Sequence, residues 1–229
     1  GLLKAELSLY GSLLRQVAER TKVPAGAALA VDRDLFAAET TRIIGNNPNI
    51  IIEKTVQKTI PEGPAMLACG PLAHDDIARE IMSATGGALH FVDAISPVIA
   101  AESVDMNKAF FAGRYGKGGD DYLNLPMEED KFAIFYNALI SADTVKAHEF
   151  EDEKVFEKCM PIEVIASRGK QTLLFGPMRP VGLTNPHTGR RPFAVVQLRL
   201  ENNERTAFNI VGFQTKMTIP AQKRVLTLI

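Results

Sequence analysis

A mixed α/β (α+β) chain in two structural units is expected here on three grounds. An amphipathic helical segment opens the sequence, strand-like and helical segments then alternate up to about residue 95, and after that short strands punctuated by Pro and Gly surround one clear helix. The change of pattern puts a boundary somewhere between residues 70 and 100. With 229 residues there is room for one large domain, or one domain and part of another.

Residues 1–21 read as a single amphipathic helix, with Leu3, Leu7, Tyr10, Leu14 and Val17 on one stripe. There is no initiator Met and the helical pattern is already under way at Gly1, which predicts a piece of a longer polypeptide. Asp32 or Asp34 is placed to cap a second helix, with Gly45 as its stop before Asn46-Asn47-Pro48. The density of β-branched residues predicts a strand over 49–56. A short apolar strand over 65–68 runs into Cys69-Gly70-Pro71, where glycine permits close backbone approach to a ligand. A helix over 75–83 ends at Gly86-Gly87, and a strand follows over 89–94. The second unit has a glycine-rich loop at 113–119, a helix at 128–142, an acidic stretch at 148–157, and strands at 172–175, 192–200 and 206–217.

The composition, 46% hydrophobic and 23% charged, excludes collagen-like, low-complexity and disordered chains. No apolar run approaches the roughly 20 residues of a membrane helix, and charges at Lys4, Glu6, Arg15, Glu19 and Arg20 are unlike a signal peptide. A cytoplasmic protein without membrane partners is therefore expected, its two cysteines reduced. The net charge of −1 conceals an asymmetry: residues 168–229 hold ten Lys and Arg against two Glu, net +8, leaving −9 for the rest. A single basic patch is expected, either a polyanion site or an ordinary solvated surface.

Cys159 lies in Phe156-Glu157-Lys158-Cys159-Met160-Pro161-Ile162-Glu163, where Pro161 is suited to begin a short helix that Gly169 ends. Beside Lys158 and the positive end of that helix, the thiolate would be favoured, making Cys159 a candidate nucleophile. The alternative is a buried cysteine acting as a small hydrophobe, a description that suits Cys69 better still. Arg114 and Lys117 in the glycine-rich loop are candidate phosphate contacts, although the loop is neither a Walker A loop nor a dinucleotide fingerprint and equally reads as a surface turn. His148-Glu149 begins like a zinc-protease motif, but Asp152 stands where the second His belongs, so no metal site is expected. Phe175-Gly176-Pro177-Met178-Arg179-Pro180-Val181-Gly182-Leu183 is a stiff run around one arginine, suited to a flat ligand or to a rigid corner.

Seven segments, in order, resemble one family: 23–33 (Val23 to Arg33), 105–111 (Asp105-Met106-Asn107-Lys108-Ala109-Phe110-Phe111), Arg114-Tyr115-Gly116-Lys117-Gly118, Cys159-Met160-Pro161-Ile162-Glu163-Val164, the 175–183 run, Ala194-Val195-Val196-Gln197-Leu198-Arg199, and Asn209-Ile210-Val211-Gly212-Phe213-Gln214-Thr215. They look like the folate- and FAD-dependent tRNA uracil-5 methyltransferases (TrmFO, formerly Gid), and the likeness extends over essentially the whole chain. The resemblance implies a partial glutathione-reductase-like FAD-binding domain (residues 1–75) and a mixed α/β insertion domain for the substrate (residues 76–229). It implies that N- and C-terminal FAD-binding segments of the same polypeptide lie outside these residues, so that the fragment alone is inactive and retains little flavin. It further implies FAD, 5,10-methylenetetrahydrofolate and NAD(P)H as cofactors and cosubstrates, with tRNA as partner.

By the same resemblance Gly70 and Pro71 pass the flavin nucleotide, Cys159 is the catalytic thiolate that adds to C6 of uracil, and Arg114, Lys117, Arg179, Arg190 and Arg191 are candidate RNA or phosphate contacts. Two positions depart from the family pattern: Leu125 replaces a frequent Cys, and Lys216-Met217-Thr218-Ile219 replaces His-Leu-Lys-Trp. The competing expectations are a non-catalytic RNA-docking module, and a GidA-type wobble-uridine modification protein or a uracil-5 methyltransferase acting on ribosomal RNA.

Overall fold

A computed structural model describes residues 1–70, 73–86, 95–117, 119–145 and 160–229. The opening segment forms two helices rather than the single one expected, α1 (Leu2–Leu9) and α2 (Leu13–Arg20). Gly11, with φ +67°, turns the chain between them, and the Ser12 side chain caps α2 by accepting the Arg15 N–H. The break dissolves the expected stripe: Leu3, Leu7, Tyr10 and Leu14 are exposed, while Val17 and Ala18 are buried. A small antiparallel pair, β1 (Lys22–Val23) and β2 (Ala30–Val31), leads into α3 (Arg33–Gly45). Of the two candidate caps, Asp32 is the one used, accepting the Leu35 N–H at 3.0 Å.

The strands expected over 49–56 and 65–68 are not formed. High β propensity needs a neighbouring strand to complete the backbone hydrogen bonds. Among the described residues none lies alongside, and Ile51 and Met66 are 87% and 91% exposed. Cys69, expected to be buried, is exposed for the same reason. Helix α4 (Asp75–Thr85) forms as expected, started by the His74 side chain on the Asp76 N–H and stopped by Gly86 in the left-handed conformation. The expected strand over 89–94 and acidic stretch over 148–157 lie outside the described residues.

Residues from 98 onward form a five-stranded antiparallel sheet of β3 (Val98–Ala100), β4 (Phe110–Phe111), β5 (Tyr122–Met127), β6 (Ala194–Leu200) and β7 (Ala207–Ile210), in the order β3-β7-β6-β5-β4. The expected strands at 192–200 and 206–217 correspond to β6 and β7. The latter is shorter because the chain turns at Val211-Gly212, leaving Thr215 and Met217 only single bridges to Ile95 and Thr144. Helices α5 (Glu129–Ile140), α6 (Ile162–Ser167), α7 (Lys170–Phe175) and α8 (Ile219–Leu226) complete the fold. Residues 172–175, expected to be a strand, lie in α7, with Leu173 pointing into the core.

Register fixes what each face of the sheet presents, because alternate residues point to opposite sides. Leu125 opposite Val196, Leu123 opposite Leu198, and Leu200 opposite Phe208 define an apolar face. It joins Phe132, Phe135 and Leu139 of α5, Ile162 and Ala166 of α6, and Ala221 and Val225 of α8 in one core. The other face carries Asn124 opposite Gln197 and Tyr122 opposite Arg199, with a small apolar cluster of Phe110, Leu183 and Val195. Among the described residues, the loops at 113–117 and 175–183 reach this polar face through Arg114 and Leu183.

The segment around β1 and β2 packs at the end of β5, with Val23, Ala25 and Ala30 in the same core. Tyr122 Oη donates to Ala25 O at 2.9 Å, the Gly26 N–H to Asp121 Oδ2 at 2.6 Å, and the Asn203 N–H to Asp32 Oδ2 at 3.0 Å. Among the described residues no helix is long and apolar enough to cross a membrane.

Candidate functional site

The loop-covered face of the sheet assembles most of the segments singled out in the sequence. Its foundation is Asn124, fully buried in β5, whose Nδ2 donates to the carbonyls of Phe110, Ala112 and Tyr122. Its Oδ1 accepts from Gln197 Nε2 at 2.9 Å, and Gln197 Oε1 in turn accepts from Arg114 Nε at 3.0 Å. Arg114 Nη1 donates to the carbonyls of Arg179 (2.6 Å) and Val181 (2.9 Å). A continuous polar relay thus runs from the sheet through Arg114 into the stiff 175–183 loop.

This changes what Arg114 can do. The guanidinium expected to face a phosphate is half-buried and turned inward, clamping two loops together. Burial lowers its pKa below the usual arginine value, and the nearby charge of Arg179 pushes in the same direction. Arg179 and Lys117 remain exposed on the outer side of the two loops. Between them the Tyr115 N–H donates to Gly182 O at 2.8 Å, and the Tyr115 ring lies against Gly182.

The 175–183 loop is tied on its other flank to the segment that follows Cys159. Gly212, at φ +74°, comes so close to Pro177 that a Cβ there would stand 3.2 Å from the proline Cβ. Two residues on, Gln214 O accepts the Ile162 N–H at 2.7 Å. Glu163 then binds the same segment with both oxygens, accepting Thr215 Oγ1 at 2.9 Å and the Lys216 N–H at 2.6 Å. The Cys-Met-Pro-Ile-Glu and Gly-Phe-Gln-Thr segments are therefore bonded partners. Pro161 caps α6 rather than serving as its first residue, and one N-terminal donor of that helix, Ile162 N–H, is engaged by Gln214. Cys159 itself lies outside the described residues; Met160 and Pro161 after it are buried.

The remaining candidates stand apart. Arg190 and Arg191 are exposed beside the turn bridged by Asn185 and Arg190, and His187 Nε2 holds that turn 3.2 Å from Ala109 O. Among the described residues neither arginine is bonded to the Arg114 relay. The +8 segment does not form the single patch expected from the charge count. Arg224 on α8, which packs into the apolar face, pairs with Asp143 at 3.3 Å, and Lys170 lies 5.4 Å from the Tyr136 ring centre.

Gly70 adopts φ +66° with nothing within 4 Å of where a Cβ would be, and Pro71 lies outside the described residues. The described part of this segment offers exposed backbone alone, in a conformation natural to glycine. Among the described residues no group of three or more His, Cys, Asp or Glu is placed to hold a metal. A groove of about 850 Å³ lies elsewhere, lined by residues such as Ile99, Leu125, Ile210, Ile219 and Leu226 and by none of the expected site residues.

Several residues that organise the site carried no role in the sequence reading: Asn124, Gln197, Glu163 and Tyr115. Asn124 and Gln197 had a signal, a polar side chain at the centre of an otherwise apolar strand. Glu163 and Tyr115 sat inside quoted segments, but their partners are remote in sequence.

The profile of the family described as glucose inhibited division protein A matches residues 1–229. A protein of Geobacter sulfurreducens is 52% identical over 231 residues, covering 100% of this chain and 53% of its own length. Proteins of Acetivibrio thermocellus and Staphylococcus saprophyticus are 49% and 51% identical over the same share of their lengths. All three are named methylenetetrahydrofolate–tRNA-(uracil-5-)-methyltransferase TrmFO. The chain spans about half the length of these curated relatives. With every residue inside the match, the chain belongs to the glucose inhibited division protein A family.

Proposed function

We propose that these residues are the central part of an enzyme that transfers the one-carbon unit of 5,10-methylenetetrahydrofolate to C5 of a uridine in tRNA, using reduced FAD. The observation that carries the reading is the linked set of loops on the polar face. The hydrogen bonds that Glu163 accepts from 215–216 and that Ile162 donates to Gln214, the Gly212–Pro177 contact, and the Arg114 clamp join the segment after Cys159 to exposed Arg179 and Lys117. The names of the relatives supply the substrates.

In this reading Lys117 and Arg179 hold the RNA backbone, and Arg190 and Arg191 extend the contact. Arg114 positions the loops. The Cys159 thiolate adds to C6 of an extruded uracil, and the ring becomes an enolate whose C5 attacks the electrophilic methylene. Loss of the C5 proton releases the methylene from its carrier as an exocyclic methylene on C5, a hydride that reduced flavin would supply converts it to methyl, and the resulting enolate expels the thiolate from C6 and restores the ring's double bond. Glu163 anchors the segment on which Cys159 sits. Gly70 and Pro71 would pass FAD with their main chain, and FAD, reduced by NAD(P)H, would supply the electrons and relay the carbon. Residues 1–75 belong to the FAD-binding domain and 76–229 mostly to the inserted substrate domain. The uncovered apolar residues Ile51, Val56 and Met66 support that division, since a larger FAD-binding sheet would cover them.

The test is the chain completed by the flanking segments of the Geobacter sulfurreducens relative, assayed for 5-methyluridine in tRNA by mass spectrometry. The completed protein is expected to form it only with methylenetetrahydrofolate and a flavin reductant. Cys159→Ser should lower the rate at least 1,000-fold, the order expected when an essential covalent nucleophile is lost. A completed protein whose product is another modification, or a Cys159→Ser variant of undiminished rate, overturns the proposal.

A further inference from the structure

We propose that Tyr115 is a stacking platform for an unpaired nucleobase of the bound RNA. The inference rests on the RNA-modifying reading above and adds to it a residue that reads a base rather than a phosphate.

The ring geometry is the first support. A Cβ built on Gly182 would stand 3.0 Å from each of Cε1, Cε2 and Cζ of Tyr115. A point equidistant from three carbons of a six-membered ring lies on the normal through the ring centre. The ring therefore lies face-down on the Gly182 backbone, and only glycine, at φ +84°, leaves room for it. Tyr115 is nevertheless 62% exposed, so the opposite face is open.

The backbone is the second. Tyr115 has φ +57°, a left-handed conformation uncommon for a bulky residue. Core burial does not explain it, since the ring is mostly outside. What holds it is the Tyr115 N–H on Gly182 O and the neighbouring Arg114 clamp on Arg179 and Val181. The fold maintains a costly conformation to keep an aromatic face fixed and uncovered.

The surroundings choose the ligand. Arg179 and Lys117 are exposed on the same two loops, so a flat group arriving at the ring would bring anionic charge with it. An unpaired nucleotide has both, a π face and a phosphate, and stacking on a fixed aromatic is how proteins commonly take hold of loop nucleotides.

The experiment uses the full chain and an RNA hairpin carrying 2-aminopurine in its loop, titrated by fluorescence at several salt concentrations, with FMN and tetrahydrofolate titrated separately. Wild type is expected to bind and to quench the probe. Tyr115→Ala should weaken binding about tenfold and abolish the quench at an unchanged salt slope, while Tyr115→Phe stays within about twofold. Tyr115→Ala that binds and quenches like wild type overturns the platform and leaves the RNA reading standing. So does a Tyr115→Ala loss confined to FMN or tetrahydrofolate, which assigns the ring to another flat ligand. Wild-type chain that fails to bind the hairpin overturns both.

Discussion

One oxygen of Asp32 accepts the Leu35 N–H at the start of α3, and the other accepts the Asn203 N–H from the turn between β6 and β7, so a single buried carboxylate starts a helix and fastens it to the sheet. These two backbone donors, Asn203 foremost, hold its pKa below the ordinary aspartate value, and burial only partly opposes them. A depressed folded-state pKa means that the carboxylate stabilises the fold fully above the unfolded value of about 3.9, and that the contribution fades as pH falls through the folded value. Asp32→Ala should therefore cost about 2 kcal/mol near neutral pH, combining a lost cap with a lost tertiary hydrogen bond. In urea melts the gap between variant and wild type should begin to narrow below about pH 4 and keep narrowing as pH falls through the folded value; a gap that stays constant over that range would mean that charge plays no part. The sequence disclosed half of this residue. A cap is a local signal, four positions wide, whereas the bond to Asn203 spans 171 residues and leaves no trace in the neighbourhood of Asp32.

The same limit recurs among the elements. Helices α3, α4 and α5 could be read because their caps, stops and periodicity are local. The run Thr172-Leu173-Leu174-Phe175 could not, since a short apolar run suits strand or helix alike and the choice depends on Leu173 reaching a core built from elsewhere. Strand β5 escaped notice because Asn124 and Pro126 interrupt its apolar pattern, and Asn124 is the residue that anchors the candidate site. The site was visible as a set of segments but not as an assembly, because Glu163, Gln197 and Arg114 all act on partners at least 50 residues away. Asn124→Leu should cost about 3 kcal/mol in urea melts, since the carbonyls of Phe110 and Ala112 and the amide of Gln197 lose a buried partner. It should also speed hydrogen exchange at the Tyr115 N–H, the reporter of loop docking on Gly182. Unchanged exchange in a destabilised variant would show that the relay supports the sheet but not the loop.

At the scale of the whole molecule, a net charge of −1 and a +8 segment make opposite forecasts for a polyanion, and the fold decides between them by dividing the basic residues. Arg179 and Lys117 stand on the loop-covered face, whereas Arg224 is carried by α8 on the apolar face and is paired with Asp143. If RNA engages the loop-covered face, the number of phosphates neutralised is set by that face and not by the total charge of the segment. The affinity should fall with salt on a log–log slope of about −0.7 to −0.9 per phosphate contact. Arg179→Ala and Lys117→Ala should each flatten that slope by about one contact, and Arg224→Ala should leave it unchanged. Filter binding of a tRNA transcript across a salt series measures all three. Equal flattening by Arg224→Ala would mean that the segment attracts RNA as a diffuse field, and the loop-covered face would lose its claim as the docking surface.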